Sequence, residues 1–382
     1  MARFPDVSAA GAAVPASIFA RLREHLARYP GDVIPLQIGD TYLPPPAGLA
    51  DAISDASDAE LYTYGAPHGH APLLETIAER HGVGVDHVQI AMGTTQALAA
   101  TVGALCDPGD ELIMLTPHWP LIRGIALAAH VVPVEVIAHG SLPTAELVAR
   151  IAAAITPRTT AIYFATPNNP DGEMLSREQL AAIATLAEQR GLWLIADEVY
   201  EHYTYDAAHA SIAAIAPART VSTYSFAKSY AQAGLRVGYA VGPAAVMSTM
   251  RKLINHGVYN VPVAAQRAAV AAMRSGDRFL ADARGLYRAA RDATRARLKA
   301  PAALPPGGAY LWVDFGAWSG DDCMPVLENC AAAGVLLAPG SAFGAACERY
   351  ARLCFTGVSP TRLAEGVDRI NAVLETMPRR EG

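Results

Sequence analysis

Short apolar runs closed by Gly, Pro, Asn or Asp alternate along the chain with longer segments whose apolar residues recur at helical spacing. Candidate strands begin at Ile90 and then cover Glu111 to Leu115, Ala161 to Ala165, Trp193 to Ala196, Val221 to Ser225 and Val237 to Val241. Helical spacing is expected over Pro72 to Arg80, from Gly93 to about Leu105, and past Ser176, where Leu180, Ile183, Ala184 and Ala187 form one apolar face. Ser176 with Gln179 reads as a capping box and Gly191 as the stop. Strand, helix and strand in this succession form a βαβ unit, so the sheet is expected to be mainly parallel and the fold α/β, doubly wound. Ala227 to Gly234 reads as a loop, His209 to Arg219 as a connector, and Thr41 to Pro46 as stiff extended chain.

Outside this core, a short helix is expected over Ala16 to Tyr29. Past Gly242 the pattern turns helical, with a long stretch from Val263 to about Lys299 broken at Ser275-Gly-Asp277. A strand at Ala309 to Phe315 and a helix at Met324 to Ala333 follow. A chain of 382 residues, 52% of them hydrophobic, is too long to grow as one core, so two domains are expected. The expected divisions are an arm with part of a small domain over 1–46, a large domain over 47–276, and a small α+β domain over 277–382.

Charge and cysteine narrow the function classes. A net charge of −6 opposes nucleic acid or an anionic membrane as partner. Arg284, Arg288, Arg291, Arg295 and Arg297 cluster on one helical stretch and read as a solvated face. Cys106, Cys323, Cys330, Cys347 and Cys354 are odd in number and lack C-x-x-C spacing, as expected of reduced thiols in a cytoplasmic protein, and no metal site is expected. The N-terminus does not read as a signal peptide, and no apolar run approaches the ~20 residues a membrane helix needs.

The candidate chemistry gathers at strand ends. Lys228 sits just past the strand Val221 to Ser225, with Ser225 and Arg236 on either side in sequence. A hydroxyl and a guanidinium there can share one phosphate while the amine stays free for covalent chemistry, which suggests a phosphorylated aldehyde cofactor. Trp119, Asn169, Asp197 and Ser225 all fall at or beyond the C-terminal ends of expected strands, the edge at which doubly wound sheets bind ligands. Gly93, Thr94 and Thr95 open a helix, where backbone N–H groups favour an anion.

The string S-F-A-K-S-Y-A-Q-A-G-L-R-V-G-Y from Ser225 to Tyr239 resembles the lysine motif of the class I/II aminotransferases, the fold-type I pyridoxal-phosphate family. In that family the lysine carries the Schiff base with pyridoxal 5'-phosphate. Further strings are similar to the family's: Gly39 in I-G-D; Tyr64, Gly69 and Leu73 in Y-x-x-x-x-G-x-x-x-L; G-T-T-Q-A from Gly93; N-N-P-D-G from Asn168; D-E-V-Y from Asp197; and P-G-S-A-F-G with Arg352 in the Y-A-R-L-C-F segment. Asp40 to Leu43 depart from the family wording, and Leu74 stands where an arginine is usual.

The resemblance implies the following roles. Lys228 is the catalytic lysine, Asp197 pairs with the pyridine nitrogen and Tyr200 with the 3-oxygen, while Asn169 and Trp119 contact the ring. Gly93, Thr94, Thr95, Ser225 and Arg236 hold the phosphate, and Tyr64 reaches the phosphate of the partner subunit in a homodimer with shared sites. Gly39, Asn169 and Arg352 meet the substrate, Arg352 at its α-carboxylate. Residues 47–276 then form the cofactor-binding domain, and the expected reaction moves an amino group between an L-amino acid and a 2-oxo acid by a ping-pong mechanism. A lyase, cyclase or oxidase on the same scaffold is the alternative. A Ser/Lys hydrolase lacks its other motifs here and leaves the strand-end Asp and Asn unexplained. Ile254-Asn-His-Gly-Val-Tyr259 holds no arginine where dicarboxylate-specific relatives place one, so a side-chain carboxylate is not the expected recognition element; Tyr42, His68, Asn255 and His256 are candidate specificity residues.

Overall fold

The computed structural model describes residues 7–16, 22, 29–54, 57–138 and 140–380. The helix expected over 16–29 lies almost wholly outside the described residues. In chain order, Ile34–Pro35 forms β1, and β2 to β8 are Val88–Ala91, Glu111–Thr116, Val132–Ile137, Thr159–Ala165, Trp193–Asp197, Thr220–Ser225 and Gly238–Val241. Strands β2 to β8 build a seven-stranded sheet in the order β2-β8-β7-β6-β5-β3-β4. The pairings of β8 with β2 and β7 are antiparallel and the other four are parallel, so the sheet is mainly parallel.

The inner strands are apolar on both faces, and a period of two sorts their side chains. Ile113, Leu115, Ile162, Phe164, Leu194 and Ala196 join one core with Leu147, Ile151, Leu180 and Ile183 from the helices Thr144–Ala154 and Arg177–Arg190. Leu112, Met114, Ala161, Tyr163 and Ile195 point the other way, onto Leu98 and Val102 of the helix Gly93–Leu105. Burial on both faces by helices is what a parallel sheet requires. The capping box is present: Ser176 accepts from the Gln179 amide at 3.1 Å and Gln179 accepts from the Ser176 amide at 2.8 Å. Gly191 ends the helix at φ 69°, a conformation that favours glycine.

Towards the C-terminus, Tyr310–Asp314 (β9), Val335–Leu336 (β10), Ala338–Pro339 (β11) and Tyr350–Cys354 (β12) follow. Strand β12 lies between β11 and β9 in an antiparallel sheet, and β1 pairs in parallel with β10. One hydrophobic core joins Ile34 and Leu36 to Leu311, Val335, Leu353, Val367 and Ile370.

Two expectations need correction. Phe226–Ser229 forms one helical turn and Ala233–Leu235 a 3₁₀ turn, because the Ser225 hydroxyl accepts from the Ala227 amide and starts the turn. The arginine stretch lies on the helix Asp277–Arg297, but Arg291 is only 1% exposed. It donates to Asp206, Asp292 and the Pro305 carbonyl, so this position is a buried tie rather than part of a solvated face.

Candidate active site

A cavity of about 220 Å³ opens at the C-terminal ends of β5, β6 and β7. Its wall contains Thr94, Thr95, Trp119, Asn169, Asp197, Tyr200, Ser225, Lys228, Arg236, Gly39 and Arg352. These side chains are far apart in sequence. The parallel strands bring Trp119, Asn169, Asp197, Ser225 and Lys228 together because each strand ends at the same edge, while Gly39 and Arg352 reach the wall from outside that sheet.

At one end the wall suits an anion. Gly93 begins the helix Gly93–Leu105 at φ 72°, and a Cβ there would stand 2.6 Å from Nη2 of Arg236. Glycine therefore serves twice, for the left-handed backbone and for the space of the guanidinium. Arg236 is itself left-handed at φ 56°, and its Nη1 donates to the Ala233 carbonyl at 3.1 Å. Gly238 brings β8 against the same turn, since a Cβ on it would meet Gly93 C, Thr94 N and Tyr224 O at 2.7 Å. The Thr94 hydroxyl donates to Tyr224 O at 2.8 Å, which pins the helix start to β7.

Lys228 is deeply placed, and its Nζ donates to the Gly39 carbonyl. Burial lowers its pKa, assisted by the Arg352 and Arg236 charges, against Asp40 and Cys354. Each of these influences favours or opposes the neutral amine in the sense that electrostatics requires. Asp197, 8% exposed, accepts from the hydroxyl of fully buried Tyr163 at 3.2 Å. Burial pushes its pKa up to about 7, opposed by the Val199 amide and Tyr163 and assisted by Glu198. A carboxylate left in such a place attracts a cationic or N–H donor partner. The Tyr200 hydroxyl meets that of Tyr310 at 2.5 Å.

At the other end, Arg352 of β12 donates from Nη1 to Asn169 Oδ1 at 2.7 Å and from Nη2 to the Gln37 carbonyl at 2.6 Å. Its guanidinium lies 4.3 Å from the Tyr310 ring centre and 5.0 Å from that of Phe343. Arg352 and Gln37 are more than nine-tenths buried, yet Arg352 Nε and Gln37 Oε1 have no hydrogen-bond partner among the described residues. A buried guanidinium held between two rings with an unused donor is suited to a planar carboxylate. Gly39 is required beside it, because a Cβ would overlap the Tyr310 hydroxyl.

Other sequence candidates lie elsewhere. Tyr64 is 83% exposed and packs on Tyr259 with ring centres 4.7 Å apart, away from the cavity of its own chain. Tyr42 packs edge-on to Tyr287, His68 Nε2 lies 2.9 Å from the Val88 carbonyl, and His256 Nδ1 lies 2.8 Å from the Lys252 carbonyl. None of these, nor Asn255, lines either cavity within the chain. Tyr163, Tyr310, Gln37 and Gly238 were not singled out from the sequence; a tyrosine inside an apolar strand is the only signal Tyr163 offers.

The sequence profile for aminotransferase class I and II matches residues 31–370. The aspartate/prephenate aminotransferase of Thermus thermophilus is 32% identical over 362 residues, covering 90% of this chain and 91% of that one. Arginine–pyruvate transaminase AruH of Pseudomonas aeruginosa is 35% identical over 299 residues, 74% of this chain and 75% of its own. The solved structure of Thermus thermophilus aspartate aminotransferase with maleate superposes with a TM-score of 0.89 at 30% identity, over 97% of this chain and 100% of that one. The chain therefore belongs to the class I and II aminotransferase family, with the fold-type I architecture, and is a pyridoxal-phosphate-dependent aminotransferase.

Proposed function

We propose that the 220 Å³ cavity holds pyridoxal 5'-phosphate and that the protein moves an amino group between an L-amino acid and a 2-oxo acid through residues of this cavity. The donor set fits the cofactor: an anion cradle at Gly93, Thr94, Thr95, Ser225 and Arg236, a buried carboxylate at Asp197, and an amine of lowered pKa at Lys228. The observation that carries the reading is that one wall presents this set together with Arg352, whose Nε is buried and has no hydrogen-bond partner among the described residues.

The cofactor, when bound, supplies an electron sink that weakens the substrate Cα–H bond. Asp197 would pair with its ring nitrogen and Tyr200 with its 3-oxygen, while Trp119 and Asn169 border the ring. Arg352, with Asn169, orients the substrate by its α-carboxylate and so fixes which Cα bond faces Lys228. Lys228 would take the proton from Cα as base and, as acid, deliver it to the cofactor's aldehyde carbon rather than back to Cα, so that the nitrogen stays behind and the substrate leaves as a 2-oxo acid. Free lysine at pH 7 lies roughly 4.6 kcal/mol from its neutral form, the gap that burial beside two arginines reduces.

The same reading includes a homodimer in which Tyr64 serves the partner's phosphate site, supported by its exposure and by the family likeness. It divides the chain into 1–46, 47–276 and 277–382, supported by the pairing of β1 with β10, and places the protein in the cytoplasm. Among the described residues no helix is long and apolar enough to cross a membrane. The test is borohydride treatment of the yellow protein followed by peptide mapping, then single turnover with a panel of amino acids. The pyridoxyl group should map to Lys228, and a 2-oxo acid should form without ammonia. Ammonia release in step with product would defeat the aminotransfer reading of this site.

A further inference from the structure

A second cavity, of about 950 Å³, adjoins the first and shares Gly39, Trp119 and Arg352 with it. Because Arg352 belongs to both walls, the larger space is open to the side chain of a substrate held by that arginine. Its mouth is apolar: Val14, Ile38 and Leu121 line it while 40%, 54% and 53% exposed, a concentration that a solvated rim does not need. The volume falls in the range of pockets that take a whole organic ligand, so a large side chain is accommodated.

Two cations line this cavity among the described residues, Arg352 and Arg123. Arg123 Nη1 stands 3.3 Å from Oε1 of Glu135. Glu135 also accepts from the Ala345 amide at 2.7 Å and lies 3.6 Å from His118 Nε2. His118, the Ala345 amide and the Arg123 charge hold the Glu135 carboxyl down at about 2, against burial, so it is ionised at neutral pH. Glu348 adds a second carboxylate to the wall. The cation that could receive a second substrate carboxylate is thus already engaged, and two negative groups face the space.

Resting on the reading in which Arg352 holds the α-carboxylate, we propose that this cavity selects amino acids with large apolar side chains, and that Glu135 excludes acidic ones by occupying Arg123. Selectivity arises as much from the carboxylate that repels as from the apolar wall that attracts.

The test uses the holoenzyme and two carboxylates that cannot react, 3-phenylpropanoate and succinate, with affinities from calorimetry. The wild-type protein should bind 3-phenylpropanoate at least about tenfold more tightly. Glu135→Gln keeps an acceptor for the Ala345 amide and frees Arg123, so it should shift the ratio at least about fivefold towards succinate. The double variant Glu135→Gln/Arg123→Met should cancel that shift, because the freed cation is gone. Tighter succinate binding by wild type, an unchanged ratio in Glu135→Gln, or a succinate gain that survives in the double variant would each overturn the proposal. Amino transfer from L-phenylalanine is measured separately: its failure with the binding order intact would strike the catalytic reading and leave the cavity's selectivity standing.

Discussion

The hydroxyl of fully buried Tyr163 donates to Oδ2 of Asp197 across 3.2 Å. A neutral donor to an anion lowers the energy of the charged form, so Tyr163 keeps Asp197 nearer to ionisation than burial alone would. Tyr163→Phe should reduce affinity for pyridoxal phosphate at pH 8 by about tenfold, the equivalent of ~1.4 kcal/mol for a hydrogen bond to a charged group. Titration of the apoprotein by fluorescence measures this. An unchanged dissociation constant would remove Tyr163 from the argument.

Asp197 also makes a prediction about the apoprotein without reference to activity. Its folded-state pKa, about 7, lies above the ordinary 3.8, so the fold binds this proton more tightly than the unfolded chain does. Stability is therefore unaffected by the group below 3.8, falls as pH rises from 3.8 to about 7, and stays reduced above that. The full difference is on the order of 4 kcal/mol. Asp197→Asn should melt higher than wild type in the apo form at pH 8, with the gap closing towards pH 4. A gap that does not depend on pH would contradict the assigned burial cost.

Gly93 should tolerate no side chain. Alanine there would need φ near 72° and would push the Arg236 guanidinium from its place, a backbone cost of about 1–2 kcal/mol before any loss of anion binding. Gly93→Ala is expected to lower the melting temperature modestly and to weaken inorganic phosphate binding to the apoprotein. Normal phosphate binding in the variant would show that Arg236 does not depend on this glycine.

Arg352→Lys should retain charge and lose the planar fork. With Asn169 and the Gln37 carbonyl holding one face, the remaining donors are expected to bind a carboxylate, so kcat/KM should fall about 10- to 100-fold, largely through KM. A fall confined to kcat would point to a different role.

The proposed sharing of sites is open to a mixing experiment. Tyr64→Phe and Lys228→Ala subunits, each impaired alone, should regain activity when reassembled together, because heterodimers then hold one site with neither change. Activity no higher than the Tyr64→Phe background would mean that Tyr64 serves its own subunit.

Residues at strand ends were legible because the chain changes there from an apolar run to Asn, Asp, Ser or Lys, and parallel strands end together; Asn169, Asp197, Ser225 and Lys228 were found in this way. Tyr310 was not. It meets Arg352 through the register of β9 with β12, in which Tyr310 faces Cys354 and Trp312 faces Arg352, and a strand tyrosine carries no mark of its partner strand. Arg291 was misread for a similar reason: helical spacing puts the arginines on one face but does not say that Asp206 and Pro305 cover part of it. Gln37 became meaningful only beside Arg352, 315 positions later.

The pairing of Ile34–Pro35 with Val335–Leu336 sets an order for biosynthesis. As the chain leaves the ribosome, the sheet that carries Lys228 and Asp197 can close on itself long before residue 335 exists, whereas Gln37 and Gly39 must wait for their partner strand and for Arg352. A nascent chain stalled before β10 would thus own its amine and its anion cradle but no complete place for a substrate carboxylate. Premature termination between β8 and β10 should yield a product able to capture the cofactor and unable to use it.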